Sequence, residues 1–592
     1  MEQQRHSSVK VFNGGMNNVL FSNMIASNEA QYLQNNDLQK GLLFGKKEPI
    51  NYLHINKPYI FQFSDILFRY SAYRSNVLFD NKYYWADKAN TRKVLPNGEE
   101  INLGIKAPIR QLKVKQKGIG NHKGKLRYTY TFYDNRHGIE SSPAPLSEEI
   151  NAEGVNIHLS HFQLPPTDNI THYRVYRIGG YLTQFSLIKE LPITEHSMID
   201  NYDDAHIDGR ELLTLRSGVP PYGLENLIEY GGRLYGSVGS KLYYSAIGMP
   251  DNWYIFDFIP FSDIIVGIAK TQSGLIVIGD NWATALIGSD PTNFKLRTLS
   301  NSIGCVGKES IGLIKGDAIW LSNKGIVISN GYDIKLLTND RVYINSSLSP
   351  LDSLIVNEKY YLILGEPFKP NHDLYPNDYL FPNTMPYTNT SIMEIDFTKG
   401  RGYALQYIEL ENTKTYRSLS NINGFVSIIS QGIDSDFDKF RVSSFIDTDT
   451  IYVETLFTPE DDLYPSNTLY PKNVLSFEYK DNFSLLEGVY LSPAFDEGFP
   501  TILKEYEKVR IQYKGDIKVF IWITNTYPEK PYNFREMGEP IISDKASSYD
   551  KEDTLEIGIP NNYDKGYSIC FGIIFKGYVK GIEWNYQIRN NN

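Results

Sequence analysis

The stretch that decides the fold runs from Gly223 to Thr338. Three times an apolar strand leads to a turn and a second apolar strand: Leu227-Ile228-Glu229-Tyr230-Gly231-Gly232-Arg233-Leu234-Tyr235-Gly236, then Ile268-Ala269-Lys270-Thr271-Gln272-Ser273-Gly274-Leu275-Ile276-Val277-Ile278, then Ile311-Gly312-Leu313-Ile314-Lys315-Gly316-Asp317-Ala318-Ile319-Trp320-Leu321. Gly232, Gly274 and Gly316 stand 42 residues apart, and 42 further on Glu358 sits in the polar turn of another hairpin pattern, Leu354-Ile355-Val356-Asn357-Glu358-Lys359-Tyr360-Tyr361-Leu362. A period of roughly 40–45 residues made of short strands is the mark of β-propeller blades. The reading is a propeller carrying insertions.

Composition agrees. The 592 residues exceed one ordinary core. Tyrosine (44) and phenylalanine (30) are abundant, and strands favour aromatic side chains. The expected fold class is therefore mainly β: a propeller with an inserted fibronectin-III-like sandwich and a C-terminal β-sandwich of jelly-roll type. The two cysteines, Cys305 and Cys570, lie in apolar strand contexts and read as buried small hydrophobes rather than a disulfide or metal pair. The first residues lack an apolar signal region, and no apolar run has the length of a membrane helix, so synthesis in the cytoplasm and no membrane span are expected.

Residues 1–107 read as N-terminal strands and the first blade or blades. Ser27 to Leu33 could form a helical turn or two after a serine cap, and Lys82-Tyr83-Tyr84-Trp85-Ala86 parallels Lys241-Leu242-Tyr243-Tyr244-Ser245-Ala246. Residues 108–209 interrupt the repeat. Alternating segments such as Leu126 to Tyr133, Val155 to Leu159 and Thr171 to Arg177, separated by turn signals, describe a small sandwich of fibronectin type III order. Residues 210–445 continue the blades, and 446–592 form the C-terminal domain. There Lys508 to Tyr513 and Ile517 to Ile523 read as a hairpin turning at Lys514-Gly515-Asp516, with Ile517, Val519, Ile521 and Ile523 on one face.

Two segments, 365–390 and 459–473, repeat a Leu-aromatic-Pro pattern: Leu374-Tyr375-Pro376 and Leu380-Phe381-Pro382, then Leu463-Tyr464-Pro465 and Leu469-Tyr470-Pro471. Proline removes a ladder donor, which excludes interior strands. Both read as projecting loops whose apolar pairs dock on a partner or subunit, the competing reading being a loop folded over its own domain. Charge is uneven. Residues 1–130 carry 20 Lys/Arg against 9 Asp/Glu, a net of +11, which leaves −21 for the remainder. One face meeting a charged partner and two differently solvated faces explain this equally well. The acid-free run from Lys106 to Arg127 lacks a glycine cradle and stacking aromatics, and reads as a solvated strand face.

The chain offers little to a chemist. His158 and His161 have no third ligand nearby; Gly118 to Gly124 does not have dinucleotide or Walker spacing; Asp203-Asp204 and Asp461-Asp462 sit in turns. No catalytic, cofactor or metal residue is assigned. The carboxylate pair of a propeller glycosidase is spatial rather than sequential, so that reaction stays open.

Residues 171–338 resemble the tail nozzle proteins (tail tubular protein B, or tail stabilisation protein) of short-tailed bacteriophages. The resemblance is carried by Thr171 to Arg177, Phe185 to Pro192, Val219 to Leu224, Gly231 to Gly236 and Pro250-Asp251-Asn252-Trp253. Its most specific part is Ile303-Gly304-Cys305-Val306-Gly307-Lys308-Glu309-Ser310 with Ala318 to Ile326. Gly307 and Asn323-Lys324 depart from the family's Cys-Val-Ser-Lys and Ser-Pro-Asp-Gly. The resemblance implies a structural virion protein and not an enzyme: a ring of six copies below an adaptor or ring protein, carrying tail fibres, spikes or tip proteins, and passing double-stranded DNA without binding it specifically. The alternatives are a propeller glycoside hydrolase or glycan-binding protein and, less favoured, a surface adhesin.

Overall fold

The computed structural model describes all residues except 1–3, 18, 20–23, 38–40, 48, 56–58, 64–65, 71–74, 167–168, 208, 214–217, 339–341, 343, 368–386, 399–402, 411–412, 423, 433–439, 446–454, 458–473, 476–484, 525–538 and 589–592. The chain is mainly β, and the 42-residue repeat is a series of four-stranded, blade-like meanders. Glu225–Tyr230, Arg233–Val238, Lys241–Ala246 and Met249–Pro260 pair in order, turning first at Gly231 and Gly232 with φ of 58° and 75°. Two positive-φ residues in a two-residue loop match the twist of the flanking strands, and glycine accepts them without strain. Gly267–Thr271, Gly274–Ile278, Ala283–Ile287 and Lys295–Ser300 repeat the pattern, as do Gly312–Ile314, Asp317–Ser322, Gly325–Ser329 and Ile334–Leu336. Burial explains the sequence pattern. The second strand Gly274–Ile278 is buried throughout and purely apolar, while Lys295–Ser300 at the far edge is mostly exposed and carries Lys295, Arg297, Thr298 and Ser300.

Ser349–Val356, Lys359–Pro367, Tyr387–Asp396 and Ala404–Ile408 pair in order as a fourth meander, with the expected turn at Asn357 and Glu358, but inside a twelve-stranded sheet that continues through Tyr32–Gln34 and Gly488–Leu491. Two further four-stranded sheets combine distant parts of the chain. Ile50–Ile55 completes Thr413–Ile422, Phe425–Gly432 and Phe440–Phe445, and Thr455–Phe457 joins Ile66–Tyr70 in parallel.

By compactness the chain divides into two units. The first comprises Met1–Tyr73, Ala269–Ile287 and Lys295–Asn592; the second comprises Arg74–Ile268 and Gly288–Phe294. Within the second unit, Ser75–Phe79, Lys82–Ala86, Thr91–Val94 and Glu100–Asn102 form another four-stranded sheet. Lys82–Ala86 is its second strand, whereas Lys241–Ala246 is the third of its own sheet, so the expected correspondence does not hold. Both are flanked on two sides, and similar apolar runs suit either position.

The module that follows is a six-stranded sheet built on Lys113–Asp134. This strand pairs with Ile150–Ser160 through its first half and with His172–Gly179 through its second, changing partner at Leu126. The sequence places a strand only from Leu126 onward. The solvated first half, with Lys113, Lys115, Lys117, Lys123 and Lys125 exposed, hides its pairing behind its polarity. Tyr128, Tyr130, Phe132, Tyr173, Val175 and Ile188 fill the core.

In the first unit Lys504–Thr524 and Ser568–Ile588, 21 residues each, pair along their length, with Ile542–Gly558 on the other side of the former. This corrects the expected hairpin: the chain does not turn at Lys514-Gly515-Asp516 but runs straight on. Gly515 and Gly577 face each other with φ of +96° and +147°, and a Cβ on Gly577 would lie 2.1 Å from the Lys514 carbonyl oxygen. The glycine marks a close approach of two backbones, not a reversal. Ile517, Val519 and Ile521 are buried as the alternation requires, with Ile523 packed against the same core. The expected helical turns at Ser27 to Leu33 are also absent. Ala30 N donates to Gly15 O and Gln31 N to Leu491 O, and Tyr32–Gln34 is a strand. Long-range backbone partners outcompete the local helix. Cys305 and Cys570 are buried free thiols, each pushed up to about 12 by burial.

A buried carboxyl in this unit gives a pH-dependent expectation. Asp352 accepts hydrogen bonds from Ser353 N at 2.9 Å and Leu419 N at 2.8 Å, and burial pushes its pKa up to about 7. A raised folded-state pKa means that folding takes up a proton between about pH 4 and 7. Its stabilising share is therefore full below the unfolded value and is lost as pH rises through 7. Asp352→Asn removes that exchange, so its thermal midpoint should gain on the wild type between pH 5 and 8. A constant difference across that range would contradict the assignment.

Candidate functional site

The twelve loop residues named above (Leu374, Tyr375, Pro376, Leu380, Phe381, Pro382, Leu463, Tyr464, Pro465, Leu469, Tyr470 and Pro471) lie outside the described residues, as does Asp461-Asp462. Three other places bring polar groups together.

The first is the interior of the inserted module. Arg177, fully buried on His172–Gly179, donates through Nη1 to Asp200 Oδ2 and through Nη2 to Asp204 Oδ1, both at 2.6 Å. The Tyr128 hydroxyl donates to the same Asp200 oxygen at 3.0 Å, and His122 Nε2 lies 3.4 Å from that oxygen and 2.9 Å from the Asp200 carbonyl oxygen. Burial pushes the Asp200 carboxyl up, but the His122 hydrogen bond and the Arg177 guanidinium outweigh it and hold it below the usual range. Asp204, half of a carboxylate pair noted in the sequence, is thus an anchor for a buried cation. His158 is half-buried on Ile150–Ser160 opposite Lys115 and Ile199, and no metal-binding cluster of His, Cys, Asp and Glu occurs among the described residues.

The second is a pair of buried carboxylates on one face of Tyr387–Asp396 in the first unit. Glu394 Oε2 is 2.7 Å from Lys46 Nζ, and Lys359 Nζ lies 3.8 Å from both Glu394 Oε1 and Asp396 Oδ2. Gln406 bridges Glu394 to the backbone of Asn36, and Asp396 Oδ1 accepts from Thr398 N and Oγ1. Carboxylates neutralised by lysines and by amide and hydroxyl donors hold an N-terminal segment against a blade; they are not poised as an acid and a base.

The third is a cleft in the second unit, about 540 Å³ in volume. Its floor is Leu103, Gly104 and Ile105, which leave the blade strand Glu100–Asn102, with Val219 and Pro220 beside them. Its rim carries Lys88, Asn90, Asn102, Lys106, Asn169 and Tyr222. Leu103, Gly104, Ile105 and Pro220 are buried, whereas the Tyr222 ring is 85% exposed. The loop is held by Lys88 N donating to Leu224 O and by Gly223 N donating to Lys88 O. Sequence reasoning missed this cleft, because its walls come from four separated segments. Its one visible signal was the Pro220-Pro221-Tyr222 run.

No family model matches the chain, and no curated protein matches it at a significant level. Solved structures that resemble it include the N-terminal domain of Nup159, at 10% identity over 57% of this chain and 97% of that one, with a TM-score of 0.22. Hsv2 of Kluyveromyces lactis gives 12% identity over 43% and 94%, with a TM-score of 0.19. An exo-β-1,3-galactanase of Phanerochaete chrysosporium gives 8% identity over 79% and 100%, with a TM-score of 0.17. Likenesses of this size carry no argument about what the chain does.

Proposed function

We propose that this chain is a structural virion protein, the tail nozzle of a short-tailed phage. Six copies would form a ring below the adaptor, conduct DNA during ejection and carry fibres or spikes. The observation that supports this reading most is where the resembling residues fall. Gly231 and Gly232 make a blade turn, Trp253 is buried in the same blade, and Cys305 lies one residue after the Gly304 carbonyl that accepts the Trp320 Nε1–H at 2.9 Å. They are the residues on which successive blades are built, so the resemblance rests on architecture rather than on an interchangeable surface. In the proposed tube, part of the net charge of −21 on residues 131–592 faces the channel, where lysine or arginine contacts to phosphate would slow DNA passage. Ring closure uses head-to-tail contacts between copies.

Electron microscopy of particles labelled with antibody to this chain tests the proposal. Label is expected at the distal end of a short tail, with six-fold symmetry after averaging. Particles without label, with the protein free in the lysate, would refute it. Release of reducing sugar from host polysaccharide, abolished by one Asp or Glu substitution, would instead make it a hydrolase.

A further inference from the structure

We propose that the cleft between the Glu100–Asn102 blade edge and the Tyr222 loop binds an acidic oligosaccharide, a short glycan carrying carboxylates. The inference goes beyond the nozzle reading and stands without it.

The site has a fixed floor and a rim of which only part is engaged. Gly104 (φ +74°) packs so closely that a Cβ there would lie 2.9 Å from Asp251 O and 3.2 Å from Gly218 O, so the floor is set by backbone contacts. On the rim, Lys106, Asn102 and Tyr222 make no side-chain hydrogen bond or ion pair among the described residues. Lys88 is held 3.3 Å from Glu225, and Asn90 is bonded to Asp87, which orients both rather than leaving them to wander.

The chemistry of these groups selects the ligand. An exposed tyrosine ring offers a flat apolar face with a polar edge, which suits the C–H face of a pyranose. Asparagine side chains both donate and accept, as an array of sugar hydroxyls requires. Among the described residues no Asp or Glu lines the cleft, and Lys106 brings to it a cation with no carboxylate partner, so the bound sugar is one with negative charge. The lining has no arginine fork, which disfavours a phosphate ligand recognised by paired hydrogen bonds. A volume of about 540 Å³ falls within the range of small-molecule sites and admits two or three sugar rings rather than a folded partner.

Calorimetric titration of the full chain with trigalacturonate, and with its counterpart reduced to neutral alcohols, tests this. The acidic trisaccharide should bind about tenfold or more tightly than the neutral one and weaken as salt is raised. Tyr222→Ala and Lys106→Ala should each weaken it by about tenfold, with the thermal midpoint unchanged because both side chains are exposed. Lys115→Ala, at an exposed lysine of the inserted module, should leave binding intact. No binding of the acid at roughly 10 mM, equal binding of the two sugars, or binding indifferent to both cleft substitutions would overturn the proposal. A labelled tail tip on a protein that binds neither sugar would defeat this inference alone.

Discussion

Arg177→Ala is expected to lower stability by about 3–5 kcal/mol, the range for removing one partner of a buried ion pair. Arg177 and Asp200 are both inaccessible to solvent, and one guanidinium serves two carboxylates and the Tyr202 carbonyl oxygen. Alanine leaves the Asp200 carboxylate with neither water nor cation, so burial would drive it to take up a proton. The loss should therefore be larger at neutral pH than in acid, where that carboxyl is neutral. Arg177→Lys keeps the charge but cannot reach both aspartates in the same fork, and should fall between wild type and alanine. Denaturant unfolding of the full chain reads the size of the effect, and hydrogen exchange over residues 113–200 reads its location. A loss below about 1 kcal/mol, the value of an exposed pair, would mean that water reaches this network.

Trp320→Ala should cost a comparable amount, about 3–5 kcal/mol. Its side chain is fully buried on Asp317–Ser322, and its indole N–H satisfies the Gly304 carbonyl oxygen. Truncation opens a cavity and strands that acceptor, so Trp320→Phe, which restores volume without the donor, should recover most of the loss but not all. The defect should map by hydrogen exchange to Gly312–Ile314, Asp317–Ser322 and Gly325–Ser329. Equal stability of the Phe variant and the wild type would show that the indole hydrogen bond contributes nothing.

The blades were legible because their determinants are local. A turn such as Gly231-Gly232 or Asn357-Glu358 needs only its own residues to reverse the chain, and alternating burial is written in the strand itself. The Gly515 misreading has the same root. Glycine signals an unusual backbone demand, but whether that demand is a reversal or a close approach depends on what lies opposite, here Gly577. The cleft was invisible for a related reason. Lys88, Asn102, Lys106 and Tyr222 are ordinary surface residues along the chain and acquire a common purpose only when brought around one space.

The amino-acid sequence by itself therefore determined the class of this protein: mainly β, in repeated four-stranded meanders, with an inserted module and a strand-rich C-terminus. Tertiary structure alone decided how the sheets are completed, as when Ile50–Ile55 pairs with Phe440–Phe445, and which polar groups share a buried partner, as Asp200 and Asp204 share Arg177. The physical reason is one of range. Turn conformation and strand alternation are set over a few residues, whereas backbone hydrogen bonds at a sheet edge and the pairing of a buried charge are satisfied by groups whose separation along the chain carries no information about their separation in space.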